Sequence, residues 1–268
     1  MTIWEYGATS RDDIWSIDCL FCRSPMTTVF SKHHDTRKLF NRHTGAFLSN
    51  HTDGVRIVQR CELCGWWKAY DHSDHETTRP LQTRQTLMGA AGSLKELDLQ
   101  DIGLPLDEVR NFLLARYDSR FDIHPRLFEE TVASVFQSLG FNSIVTAYSG
   151  DGGIDGVLEK DGRQIGVQVK RYRGSIEVEQ IRAFVGSLVL KDMTEGIFVT
   201  TSCFQSGGQS TAALAGVRGY RIDLVDAPRF YDALKLGQLP AVGEIDQDAA
   251  FDYFRNLRLI SDQLISFE

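Results

Sequence analysis

An α/β fold, a mixed sheet flanked by helices with a small metal-stapled β domain at the N-terminus, is what this 268-residue sequence predicts. Three observations carry that expectation. From residue 125 onward the apolar positions switch between helical and strand periods in the order α-β-β-β-α-β-α-β-α, the pattern of a sheet covered by helices. Asp161-Gly162 lies between two apolar runs, and this dipeptide is a strong signal for a two-residue hairpin. Four of the five cysteines form two CxxC pairs, and both pairs lie before residue 80.

Residues 1–80 hold those four cysteines, six of the seven histidines (33, 34, 43, 51, 72 and 75) and short β-like runs such as Val55-Arg-Ile-Val58. They read as a zinc-ribbon-like module. Residues 81–120 begin loosely, with Gly89, Gly92 and Ser93, and then carry Val109, Phe112, Leu113 and Arg116 at helical spacing after Pro105, so they read as a connector with one helix. Within 121–238, Pro125 opens a helix whose apolar residues Phe128, Val132, Val135, Phe136 and Leu139 share a face, with Gly140 as its C-terminal cap. A strand over 143–148 follows, then the two strands around Asp161-Gly162. A helix over 176–190, a buried strand over 196–201, a short helix over 210–215, a strand over 220–225 and a helix over 228–236 complete the domain. Residues 239–268 read as an acidic tail, helical over 247–265, with Phe251, Phe254 and Leu257 available for packing or for a partner.

Composition narrows the function. With 42% hydrophobic and 24% charged residues the chain can build ordinary cores. No stretch has the length of a membrane span, and the first residues lack the basic-then-apolar order of a secretory signal, so a soluble cytoplasmic protein is expected. The net charge of -7 argues at first against a nucleic-acid partner. Its distribution softens that objection: 239–268 hold six acids against Arg255 and Arg258, whereas 163–173 hold Arg163, Lys170, Arg171 and Arg173 with no acid.

The hairpin assembles a candidate site. If Asp161 and Gly162 form the loop, Lys160 pairs with Arg163 and Asp155 lies directly opposite Gln168. Cross-strand partners and residues two apart on a strand share a face, so Asp155, Gln168 and Lys170 cluster on one side. Ile154, Gly156, Leu158, Ile165, Val167 and Val169 line the other. A carboxylate, an amide oxygen and an ammonium at one spot suit phosphodiester hydrolysis with a divalent cation. Asp155 can hold Mg2+, which binds through one or two carboxylates plus substrate phosphate, and Lys170 can orient water or stabilise charge on phosphorus. Gly152 and Gly153 leave room for a backbone to approach. The competing reading is that Asp155 ends a strand at the surface and Lys170 is a solvated charge.

The segments HPRLFEETVASVFQSLGF, SGDGGIDGVLEKDGRQIGVQVKRY and GIFVTTSCF resemble the Mrr-like catalytic domain of type IV restriction endonucleases, within the PD-(D/E)xK nuclease superfamily. The likeness spans about residues 105–236. It implies a restriction-endonuclease-like fold, Mg2+-dependent cleavage of DNA, and catalytic roles for Asp155 and Lys170, with Gln168 as the QxK glutamine that replaces the superfamily's second acid. Glu129 corresponds to the family's helix glutamate, although an acid in the first turn of a helix is also favoured by the macrodipole. Arg171, Tyr172 and Arg173 form the basic stretch for DNA; if the strand continues, the two arginines point to opposite faces and only one meets phosphate.

Cys19, Cys22, Cys61 and Cys64 have the ligand types and spacing of a tetrahedral structural Zn2+ site, and Gly65 lets backbone amides turn toward sulfur. A redox dithiol and an iron–sulfur cluster are the competing readings; the first wants a thioredoxin-like setting that is missing. Four thiolates would leave no open position, so hydrolysis belongs elsewhere. The histidines then read as surface or hydrogen-bonding residues. Trp66 and Trp67 could face DNA with Arg56, Arg60 and Lys68 or pack a small core, with packing favoured, and Cys203 reads as buried and inert.

The sequence thus predicts a Mg2+-dependent DNA endonuclease of restriction or phage defence, with a homodimer or defence-system proteins as further partners. Two rivals stand beside it: an inactive nucleic-acid-binding adaptor on the same fold, and a structure-selective repair or recombination nuclease.

Overall fold

The computed structural model describes residues 3–38, 50–78, 81–145, 153–238 and 244–266. In chain order its elements are β1 (Trp4–Gly7), α1 (Arg11–Trp15), β2 (Met26–Lys38), β3 (Asn50–Cys61), β4 (Trp67–Thr78), β5 (Leu81–Leu94), α2 (Leu106–Ala115), a 3-10 turn (Tyr117–Phe121), α3 (Pro125–Ser138), β6 (Asn142–Val145), β7 (Gly156–Lys160), β8 (Arg163–Lys170), α4 (Val178–Leu190), β9 (Glu195–Thr200), α5 (Gly207–Val217), β10 (Arg221–Val225), α6 (Ala227–Leu236), α7 (Gln247–Phe254) and β11 (Arg258–Ser266). They fall into two units, Met1–Lys95 with Pro240–Glu268, and Glu96–Leu239.

In the unit Glu96–Leu239 a five-stranded sheet runs β10-β9-β8-β7-β6. The β6–β7 and β7–β8 pairs are antiparallel, and the β8–β9 and β9–β10 pairs parallel. Asp161 and Gly162 both take positive φ, 54° and 74°, as a type I′ turn requires. The register follows: Lys160 pairs with Arg163, Leu158 with Ile165 and Gly156 with Val167. Helix α3 starts where Pro125 occupies its first turn and His124 Nδ1 accepts the Arg126 N–H at 3.2 Å. Its buried Leu127, Phe128, Val132 and Val135 each contribute about 1.5–3 kcal/mol by leaving water. On the opposite face of the sheet, Ile181, Phe184 and Leu188 of α4 and Ala212 of α5 close a core over Phe198 and Leu224.

The unit Met1–Lys95 with Pro240–Glu268 is built on a six-stranded antiparallel sheet, β1-β5-β4-β3-β2 with β11 also on β5. Trp66 and Trp67 are buried. Trp66 Nε1 donates to Gly92 O at 2.8 Å, and Trp67 stacks edge-to-face on Tyr6 and Tyr253. Of the two readings of these tryptophans, packing is the observed one. Lys68 is also buried, and its ammonium donates to the carbonyls of Asp13, Ile14 and Ser16, capping α1. Burial lowers its pKa to about 8.

Two boundaries differ from the sequence reading. Residues 81–94 are not a loose connector but β5, a strand bonded to three others. Its glycines mark close packing: a methyl group at Gly89 would stand 2.5 Å from Ile260 Cδ1 and 3.0 Å from Ile14 Cδ1. The helix expected over 247–265 stops at Phe254, and Arg258–Ser266 is a strand. The register shift between Leu259 and Ser261 isolates Ile260 as a bulge, which packs against the cluster of Ile14, Tyr70 and Leu87. His43, Gly152 and residues 146–148 of the expected strand lie outside the described residues.

Candidate active site and metal centre

The β7–β8 hairpin keeps its register only as far as Gly156. There Asp155 N–H also donates to Val167 O, at 2.8 Å, so residues 155 and 156 together face one residue of β8. This is a β-bulge, and it re-aims the side chain. Asp155 Oδ2 accepts the Val169 N–H at 2.7 Å, so the carboxylate occupies the place of a ladder carbonyl between Gln168 and Lys170. Just upstream, Gly153 has φ of 84°; a methyl there would stand 2.5 Å from Ser187 Oγ and 3.7 Å from Gln168 Nε2. Only glycine combines that backbone angle with that approach.

The bulge changes the expected facing of residues. Ile154 belongs to the α4-side core, not to the apolar face shared by Leu158, Ile165, Val167 and Val169. Asp155, Val167 and Val169 line a cavity of about 20 Å3 with Glu129, Val132 and Phe136 of α3. Gln168 pairs with Phe198 of the α4-side core and Lys170 with Thr200, and alternation turns both away from that cavity. The structure therefore joins Asp155 to Glu129 at one cavity and to the backbone between Gln168 and Lys170. It does not stack Asp155, Gln168 and Lys170 on one face of a continuous ladder.

Glu129 is anchored by Arg126, whose guanidinium lies 3.4 Å from Glu129 Oε2 and 2.8 Å from Glu130 Oε1. Glu130 takes the shorter contact. All three side chains are roughly a quarter exposed, between 20% and 32%, so the cluster is neither dry nor freely solvated.

The strand ends at Lys170, so Arg171 and Arg173 do not alternate to opposite faces. Both reach the turn before α3. Arg171 donates to Phe121 O and Arg173 to Asp122 Oδ1, each at 2.6 Å, and Tyr172 between them is exposed.

Threonines that the sequence reading passed over fasten this strand end. Thr200 Oγ1 and Thr201 N–H both donate to Lys170 O, at 3.1 and 3.2 Å. Thr201 Oγ1 accepts the Tyr172 N–H and donates to Tyr172 O, both at 2.9 Å. Arg120 Nε donates to Thr201 O at 3.0 Å while its guanidinium stacks on Phe121. Both threonines are fully buried. The signal available in sequence was a pair of hydroxyls closing an apolar strand, where a buried polar group demands a partner. Cys203, expected to be buried, is exposed.

The four paired cysteines converge. Their sulfurs lie within 4.8 Å of one another, with Cys19–Cys64 at 3.5 Å and Cys22–Cys61 at 3.3 Å. Bonds of about 2.3 Å to a tetrahedral ion imply sulfur separations near 3.8 Å, so the group fits a structural metal. Two turns of one design hold it. Arg23 N–H donates to Cys19 O and Gly65 N–H to Cys61 O, each at 3.1 Å, and Cys19 and Cys61 N–H donate to Ser24 O and Trp66 O. Arg23 and Gly65 share positive φ, 62° and 75°. The neighbouring sulfurs push the Cys64 thiol far up and the Cys22 thiol far down, the discord of four acids crowded where a cation belongs. Among the described residues no histidine joins the group: His33 and His51 meet Asp53 and Asp35, and His34 meets Asp71.

Residues 121–234 match the Mrr_cat family model, described as restriction endonuclease. A 117-residue segment is 31% identical to the type IV methyl-directed restriction enzyme EcoKMrr of Escherichia coli (strain K12), covering 39% of this chain and 38% of that enzyme. The chain therefore aligns with well under half the length of that relative. Among solved structures, MspJI restriction endonuclease in complex with a 27-mer oligonucleotide aligns over 86% of this chain and 63% of that one, at 13% identity and a TM-score of 0.32. A likeness that loose carries no argument. No helix among the described residues is long and apolar enough to cross a membrane. The segment from residue 121 to residue 234, with the bulged Asp155 and the strand end at Lys170 inside it, is similar to the restriction endonuclease domains that the Mrr_cat family model describes.

Proposed function

We propose that this protein is a Mg2+-dependent DNA endonuclease acting in restriction, with Asp155, Gln168, Lys170 and Glu129 as its catalytic set. The observation that carries the reading is the Asp155 carboxylate fixed on the Val169 amide between Gln168 and Lys170. A carboxylate held by a backbone donor is fixed in orientation, which is what an oxygen-seeking cation requires. Asp155, its carboxylate on the Val169 amide between Gln168 and Lys170, would hold Mg2+ with Glu129 as a second carboxylate, and the ion would polarise the scissile phosphate and favour ionisation of the attacking water. The chain's own residues do the rest. Lys170 places a positive charge where the phosphoryl oxygens gain negative charge. Gln168 offers a neutral oxygen to position the water or ion. Arg171, Tyr172 and Arg173 hold the DNA backbone beside the site, with Arg173 exchanging Asp122 for phosphate. The cysteine centre, with zinc as its ion, supports the fold and leaves no open position for hydrolysis.

Digestion of modified and unmodified plasmids tests this. The protein should cut at least one of them with Mg2+ and neither with EDTA, and Lys170→Ala should be silent while melting as wild type does. A fully active Lys170→Ala would remove the assignment. Binding of DNA without cleavage under every condition would favour the adaptor reading, and cleavage confined to junctions or flaps the repair reading.

A further inference from the structure

The C-terminal strand β11 brings two residues to a cleft of the six-stranded sheet that hydrolysis does not use. Arg11 and Trp15 of α1, His72 of β4, Gln85 of β5, and Ser261 and Gln263 of β11 line it. It is shallow and open, with about 30 Å3 of interior space, so a ligand would lie against its walls and not be enclosed.

Its walls are built for a flat polar ring. Trp15 is 48% exposed, and its indole is braced edge-to-face by Tyr70 at 5.5 Å and His72 at 6.0 Å. A large aromatic held in place while half its surface meets water is a stacking platform. Gln85 and Gln263 are direct cross-strand partners, so their amides share a face with Cβ atoms about 5 Å apart. Neither glutamine, nor Arg11, has a side-chain hydrogen bond or ion pair among the described residues. The same row continues into β4 with Asp74, whose Oδ1 is buried with no hydrogen-bond partner among the described residues. Buried polar atoms are ordinarily satisfied. Two amides supply donors and acceptors together, the pairing that reads the edge of a nucleobase, and Arg11 adds a cation suited to phosphate.

We infer that this cleft takes one unpaired nucleobase of DNA, stacked on Trp15 with its edge read by Gln85 and Gln263, and so selects the target. A base inside a duplex hides both faces, so the nucleotide must leave the stack to reach the indole. The inference rests on the reading of the protein as a DNA nuclease and extends it to target choice.

The test is enrichment from randomised duplexes, prepared unmodified and with methylated cytosine or adenine, by full-length Asp155→Asn protein without added Mg2+. The parent should enrich one sequence or modification class. Adding Trp15→Leu, or Gln85→Ala with Gln263→Ala, should cut that enrichment at least tenfold and leave only weak, salt-sensitive binding, and Trp15→Phe should keep part of it. Unchanged melting of the glutamine pair, whose side chains support nothing else, separates lost recognition from lost folding. Equal enrichment by parent and variants, or none by the parent, overturns the inference. Mg2+-dependent cleavage by the wild-type chain, run in parallel, tells which reading failed. Active cleavage with no effect of the cleft variants defeats the cleft alone, and cleft-dependent enrichment without cleavage defeats the hydrolytic reading alone.

Discussion

The cysteine centre and the Asp155 site both present metal-seeking atoms through distorted backbone, yet they do so in opposite ways. At the cysteines, two turns of identical hydrogen bonding bring four donors within 4.8 Å of one another. Nothing further is needed to complete a tetrahedron. At Asp155 a single strand bulge fixes one carboxylate, and in the proposed site the remaining positions would fall to Glu129, solvent and phosphate. A closed set of donors gives its binding energy to folding, whereas an open set keeps it for a substrate.

The contrast is broken most severely by Cys64→Ser. Structural zinc is worth about 10–16 kcal/mol in small modules, so this change should unfold the six-stranded unit, as a strong chelator should. Separate melting transitions followed by tryptophan fluorescence would report it, and an unchanged melt would mean the centre carries no structural metal. Asp155→Ala should do the reverse, lowering cleavage by about a thousandfold or more, roughly 4 kcal/mol of barrier, while the melting temperature moves little. Asp155→Asn, which keeps an oxygen for the Val169 amide, should be as inactive as alanine; activity in the asparagine variant would show that the carboxylate's charge is not required.

Thr201→Val sharpens the account of the strand end. It removes both side-chain bonds to residue 172 and should lower kcat by about tenfold to a hundredfold with a smaller change in KM, because a misplaced group acts on the chemical step. Thr201→Ser should restore most of it. The two lost bonds should cost about 1–3 kcal/mol of stability, and equal kcat in valine and wild type at matched folding would make Thr201 structural only. The smallest effect belongs to the rim of the open site. Arg173 and Asp122 form a well-exposed pair, 70% and 67%, worth under about 1 kcal/mol, so Asp122→Asn should leave stability unchanged and tighten DNA binding several-fold by freeing Arg173. Weaker binding would indicate that Asp122 itself positions the DNA.

These differences also explain what could be read from sequence. CxxC pairs and the Asp161-Gly162 turn are local signals, each fixed by a few neighbouring residues, and they located the cysteine cluster and the hairpin register. The bulge at Asp155 was not legible, because alternation predicts a continuous ladder and the exception depends on Gly153 passing close over Ser187 and Gln168. The glycines of β5 read as a loop in the sequence because the pressure of Ile260 and Ile14 on Gly89 arises only in the fold. Strand β11 was hidden behind the helical spacing of Phe251, Phe254 and Leu257, and with it Gln263. Thr200 and Thr201 stand thirty residues from the lysine they hold, so no local pattern pairs them.

The central claim is that the ion for hydrolysis sits at the bulged aspartate, apart from the ion for folding. Anomalous diffraction from crystals soaked in Mn2+ tests it directly. A peak about 2.0–2.4 Å from an Asp155 carboxylate oxygen, lost in Asp155→Ala crystals while the cysteine centre keeps its own metal, is the predicted result. Manganese bound elsewhere with Asp155 bare, in crystals of protein that cleaves DNA with the same ion, would contradict it.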